Sequence, residues 1–177
     1  MALAYLLIAG GLVSIVHAYL VWFHRDDRKQ SLSEHVILTG RSHLIYFVSH
    51  VVCEILFILF SYQLYRVEHH LPVLFYLNMI FVVLDFVQAA IPARGKTEII
   101  HMTAAYVSWC CYLISGTLAL FKLNVMEPFA ALSLVFLIPT LAMFLYVHVR
   151  RKRLWFYQLL IVPGFVVYMM FVVIGAK

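Results

Sequence analysis

Charge is what this chain has least of. Of 177 residues, only 12% are Asp, Glu, Lys or Arg, whereas 65% are hydrophobic, and the mean hydropathy is +0.97. A soluble domain of this size carries about 25% charged residues, so a water-exposed globule is excluded. Cysteine is also scarce. The three, Cys53, Cys110 and Cys111, all fall inside apolar runs, which excludes a disulfide framework and leaves them as small buried apolar residues. Strand-type alternation of polar and apolar residues is missing, which excludes a membrane barrel. No internal repeat or low-complexity segment is present. The first apolar run has neither a basic segment before it nor an A-x-A cleavage pattern, so it reads as a span and not as a signal peptide.

What remains is a set of long apolar runs. Six can be marked, at about 3–23, 42–65, 71–91, 99–121, 128–148 and 154–176. Each is near the roughly 20 residues that an α-helix needs to cross a hydrocarbon core. The expected fold class is all-α, with six transmembrane helices in one bundle and a single domain over 1–177. Pro139 inside the fifth run and Pro163-Gly164 inside the sixth are tolerated in membrane helices but kink them.

The few charges are unevenly placed. The first, third and fifth loops hold Arg25, Arg28, Lys29 and Arg41, then Arg94 and Lys96, then Arg150, Arg151, Lys152 and Arg153, so they take ten of the 13 basic residues. Positively charged loops stay inside. The expected location is therefore a cell membrane, with these loops cytoplasmic and both termini outside. Nucleic-acid binding is excluded, because it needs a continuous basic surface and here the basic residues are split among short loops. The partner expected is the lipid bilayer. Arg150, Arg151, Lys152 and Arg153 are the candidates for anionic lipid headgroups, each contributing about 1 kcal/mol near a charged surface. The sequence identifies no protein partner.

Against this apolar background the ionisable residues inside spans stand out. A charged group in mid-membrane costs about 2.5 kcal/mol or more unless it is neutral, paired or wet. The second span carries His43, Phe47, His50 and Glu54 at helical spacing. Glu54 lies roughly 18 Å from the expected cytoplasmic end at 1.5 Å per residue. Asn78, Asp85 and Gln88 share a face of the third span. His101, Ser108, Tyr112 and Ser115 share a face of the fourth, and Gly10, Ser14, His17 and His24 share one of the first. Counted in helical rise, His17, Asp85 and His50 lie about 9–12 Å deep from the same membrane face. The candidate pocket is therefore His17, His43, His50, Glu54, Asp85, Gln88, His101 and Ser108, facing one interior cavity toward the cytoplasmic side.

Three readings of that constellation compete. Imidazoles with a carboxylate are the ligand set of a catalytic zinc with an open position. His50, Asp85 and His101 would be its ligands, and a divalent metal there would activate water for hydrolysis of a lipid-borne substrate. No H-E-x-x-H or H-x-x-x-H pair fixes two ligands on one turn, however. Axial histidines on facing helices at equal depth suit one b-type haem, with His17 and His50, or His43 and His101, as pairs. The third reading is a hydrogen-bonded polar network lining a pocket for lipid or a small solute, in a binding or transport-accessory role. Two other labels fail. Gly95-Lys96-Thr97 is not a phosphate loop, because Ala90 stands where its first glycine belongs and no strand precedes it. Ser49-His50 is not a nucleophile–base pair, because adjacent helical residues point different ways.

The order of features is also familiar. Ser33-Glu34 lies in the first loop, AAIPARGK ends the third span, and His101 in IIHMTAAY opens the fourth. This resembles the six-span prokaryotic membrane proteins known as domain of unknown function 998 and, more distantly, Frag1/DRAM/Sfk1-like membrane proteins. Glu34, Pro92 and His101 are the positions that match. His35 and Val36 replace the glycine usual after Ser-Glu, and Ala93-Arg94 alter the Phe-Pro-x-Asp element. The resemblance implies a six-span fold and topology across nearly the whole chain and implies no reaction.

Overall fold

A computed structural model describes residues 1–23, 40–91, 95–150 and 154–176. Six α-helices run through them: α1 (Ala2–Phe23), α2 (Gly40–Ser61), α3 (Pro72–Ala90), α4 (Glu98–Lys122), α5 (Phe129–Arg150) and α6 (Leu154–Gly175). Among the described residues there is no strand. The apolar runs become helices because nothing else satisfies the backbone in hydrocarbon. Five of the helices are long and apolar enough to cross a membrane, and Leu159–Gly175 of the sixth is apolar but shorter.

Turns between helices carry specific chemistry. The second span leaves α-geometry at Ser61 and continues as a π-helical segment, Tyr62–Glu68. The wider turn is visible in the bond from His69 N to the Leu64 carbonyl, 3.1 Å. His70 then adopts φ +52°, the left-handed conformation that ends helices, and its ring Nδ1 reaches the Arg66 carbonyl at 3.2 Å. Pro72 starts α3 at a position where a missing N–H costs nothing. A 3₁₀ turn, Gly95–Thr97, leads into α4.

Five helices form a ring in the order α4–α3–α2–α1–α6, and α5 packs against α6. Small residues set the closest approaches. A Cβ on Gly10 of α1 would overlap the Val166 side chain of α6, and one on Gly164 of α6 would overlap the Thr140 hydroxyl of α5. Thr140 in turn donates to the Phe136 carbonyl at 2.7 Å, so a side chain next to Pro139 is satisfied within the helix. The main apolar core occupies the end holding Leu6, Phe60, Leu64, Tyr65, Leu123 and Val172, and a smaller cluster of Leu20, Val21, Tyr46 and Ala89 sits toward the other end. The ring closes between α4 and α6 chiefly through side chains. The Tyr168 hydroxyl donates to the Gly116 carbonyl at 2.5 Å, and Trp109 and Tyr112 meet Phe165 at 5.3 and 5.4 Å between ring centres. The outer faces are apolar, with Ile15, Val83, Phe121, Val135 and Ile138 all exposed. Such surface suits lipid. α5 presents most of it, being the least buried of the spanning helices.

Candidate functional site

α1, α2 and α3 carry the polar residues, and the helical register brings them together. His17, His50, Glu54 and Asp85 are each at least nine-tenths buried. His50 and Glu54 are one turn apart on α2, so both reach the same side. The His50 Nδ1 lies 2.7 Å from Asp85 Oδ2, a charge-assisted distance. On its other side His50 Nε2 lies 3.3 Å from His17 Nε2. One ligand-type atom from each of His50, Glu54 and Asp85 falls within 4.8 Å of the others. The result is a buried chain, His17–His50–Asp85, with Glu54 beside it.

Proton placement follows from the partners. A His50 that donates through Nδ1 to Asp85 is an acceptor at Nε2 when neutral, so His17 must donate through its own Nε2. His17 Nδ1 is then a lone pair, and this atom indeed has no partner. An unmatched acceptor is the milder of the two ways to leave a buried nitrogen unsatisfied. Glu54 Oε2 is buried and unpartnered as well.

Tyr46 organises this chain and was not singled out from the sequence. Its ring packs on His50 at 4.2 Å and on His17 at 5.7 Å, and Gln88 Nε2 donates to its hydroxyl at 3.4 Å. The available signal was the four-residue spacing to His50. The sequence stripe had placed Phe47 on that face instead, but Phe47 is half-buried and meets Phe86. The buried seam of α2 is Tyr46, His50, Cys53 and Phe57.

His17, His50, Glu54, Asp85, Gln88 and His101 all line one cavity of about 170 Å³. Two candidates do not. His43 is half-buried with an unpartnered Nε2 outside the lining. Ser108 is fully buried and donates to the Ala105 carbonyl at 2.8 Å. His101 donates through Nδ1 to the Ile91 carbonyl at 2.7 Å, which pins the start of α4 to the end of α3 and leaves Nε2 as its acceptor. Glu34, Pro92 and Arg151–Arg153 lie outside the described residues, and only the backbone of Arg150 is described, as the last residue of α5.

The cavity has two chemical ends. Beyond the carboxyl groups its wall is aromatic: Phe57, Phe81, Trp109, Tyr112 and Phe165 line it, in ring contacts of 5.1 to 6.5 Å. Among the described residues no Lys or Arg lines it. On the far side of this wall is a second buried polar group, in which Asn78 Nδ2 donates to Ser61 Oγ at 2.9 Å where α2 turns into the π segment.

Both ring nitrogens of His50 already have buried partners, so a metal bound by His50 must displace one of them. His17 and His50, proposed as an axial pair by depth, do meet. They meet in direct hydrogen-bonding contact, which leaves no room for a macrocycle between them. Ser49, like Ser108, donates to a backbone carbonyl, here that of Tyr46 at 2.7 Å, so neither hydroxyl is poised toward an imidazole. What the arrangement does offer is a polar, proton-bearing head region and an apolar slot in one cavity. The chain matches no protein-family model, no curated protein and no solved structure.

Proposed function

We propose that this membrane protein binds a single amphiphilic molecule, a lipid or a small lipophilic solute, in a binding or transport-accessory role. The observation that carries this reading is the two-ended cavity. Its head region is His17, His50, Asp85 and Glu54, and its other wall is the aromatic group around Trp109. Ligand sites are mostly apolar with a few fixed polar groups, and α4 and α6 meet over this cavity chiefly through side chains. By the distribution of basic loops, the head region lies toward the cytoplasmic face. Arg150–Arg153 would hold anionic headgroups at that surface without entering the cavity.

The test is native mass spectrometry of protein released from nanodiscs. The wild type should retain one lipid-sized adduct per chain. Ala105, which lines the cavity on α4, is replaced by Phe to fill it. The Ala105→Phe protein should stay helical and monodisperse and lose the adduct. Equal adduct retention in both proteins removes the proposal.

A further inference from the structure

We infer that the ligand's polar end is a cation, so that the cavity is a site for an amphiphilic ammonium-type molecule. This rests on the amphiphile reading above and adds the sign of the charge. Two carboxyl groups, Glu54 and Asp85, enter the head region, and a single imidazole, His50, contacts Asp85. His17 is spent on His50. Asp85 therefore has an imidazole donor, whereas the group Glu54 meets is the Asp85 carboxyl itself, with no cation beside it. Glu54 is only 7% exposed, and its Oε2 has no hydrogen-bond partner. A buried carboxylate left unpaired costs several kcal/mol, so something positive must complete it. A proton does so in the absence of ligand, and a ligand cation does so when bound.

The rest of the lining agrees on the sign. An anionic headgroup would enter beside two carboxyl groups, with no Lys or Arg among the described lining residues to receive it. A cation instead finds aromatic faces around it. Tyr46 and Phe57 line the cavity on the same helix as Glu54, and Phe81 of α3 meets Phe57 at 5.2 Å between ring centres. Rings in this arrangement attract cations within about 6 Å of their centres. A quaternary or primary ammonium with an apolar body therefore matches both ends of the cavity at once. A divalent metal matches only the carboxyl end, and one that took His50 as a ligand would have to break a His50 contact.

The experiment is calorimetric titration of the full chain in nanodiscs with three probes of similar size: benzyltrimethylammonium, benzyl alcohol and benzoate. Benzyltrimethylammonium carries a fixed charge and no N–H, so charge alone is read. The expected result is saturable binding of the cation, at least tenfold tighter than the alcohol, with no binding of benzoate. Glu54→Gln preserves shape. It should weaken the cation at least tenfold while leaving benzyl alcohol within twofold. Should Glu54→Gln fail to fold, the ranking of the three probes on the wild type decides by itself. Benzoate binding as well as the cation overturns the inference, as does unchanged cation affinity in Glu54→Gln. So does stoichiometric zinc binding that excludes the cation. If benzyl alcohol binds and the cation does not, the charge assignment falls and the amphiphile reading stands. If no probe binds and no lipid adduct is found, both fall.

Discussion

Removing His50 should hurt the protein more than removing His50 and Asp85 together. The pair is 2.7 Å apart, with side chains 6% and 7% exposed, on two different helices. Taking the donor away from a buried carboxylate leaves an uncompensated charge; breaking a buried charged pair from one side costs about 3–5 kcal/mol, whereas replacing both partners by apolar residues is often neutral or stabilising. His50→Leu strands Asp85 and should cost that much. His50→Leu/Asp85→Leu should recover most of it, because the cavity beside them has room for the leucines. In a chain of this length each kcal/mol shifts the midpoint by roughly 2–4 °C, so the single variant should melt about 6–20 °C lower and the double variant close to wild type. The assay is tryptophan fluorescence during thermal unfolding in detergent, with both variants at one detergent concentration. The competing picture is an ordinary interhelical hydrogen bond, which averages only about 0.6 kcal/mol in a membrane protein. A single-variant loss of about 1–2 °C, or a double variant as unstable as the summed single variants, would refute the stranded-charge reasoning.

Other outcomes follow from the same structure. Gly164→Val drives a side chain into the Thr140 hydroxyl and should lower stability by about 1–3 kcal/mol, the range for overpacking, with Gly11→Val, which meets open space, as the control that does not. Asn78→Ala removes the donor to Ser61 and should cost between about 0.6 and 1.7 kcal/mol, without changing benzyl alcohol binding, because Asn78 does not line the cavity. Elemental analysis of protein purified without chelator should find less than one tenth of a divalent metal ion per chain; a stoichiometric ion lost in Asp85→Asn would reverse the reading of the His50 contacts. Single cysteines at positions 29 and 69, in a background with the native three replaced, test orientation: only position 69 should label from outside intact cells.

The fold was legible because hydropathy in a membrane protein reports directly on length. The six apolar runs and the helix ends agree within a few residues, and the strongest departure is the second span, which runs on to Glu68 as a π segment. No hydropathy pattern distinguishes a π turn from an α turn. The site was legible in part for a related reason. Ionisable residues are so costly in a membrane that His17, His50, Glu54 and Asp85 had to point inward, and depth counting put three of them at one level. Ser108 misled because a hydroxyl can satisfy itself on its own helix backbone, as it does on Ala105, and so need not face a cavity. Apart from Tyr112, the aromatic wall and Tyr46 are not distinguished in the sequence, because 16% of the chain is aromatic and composition does not say which rings line a cavity and which face lipid. The His17–His50 contact could not be foreseen as a hydrogen bond. Spacing gives depth, and only packing gives the distance between helices.

The decisive question is whether an amphiphile sits inside the bundle with its tail against Trp109. The direct measurement is quenching of Trp109 fluorescence in a Trp22→Phe/Trp155→Phe background, using alkylammonium probes brominated at either end of the chain. The account predicts saturable quenching at one probe per protein, stronger for bromine at the distal end and abolished by Ala105→Phe. Quenching that rises linearly with probe, is the same for both bromine positions and survives Ala105→Phe would mean that Trp109 meets only bulk lipid, and would contradict it.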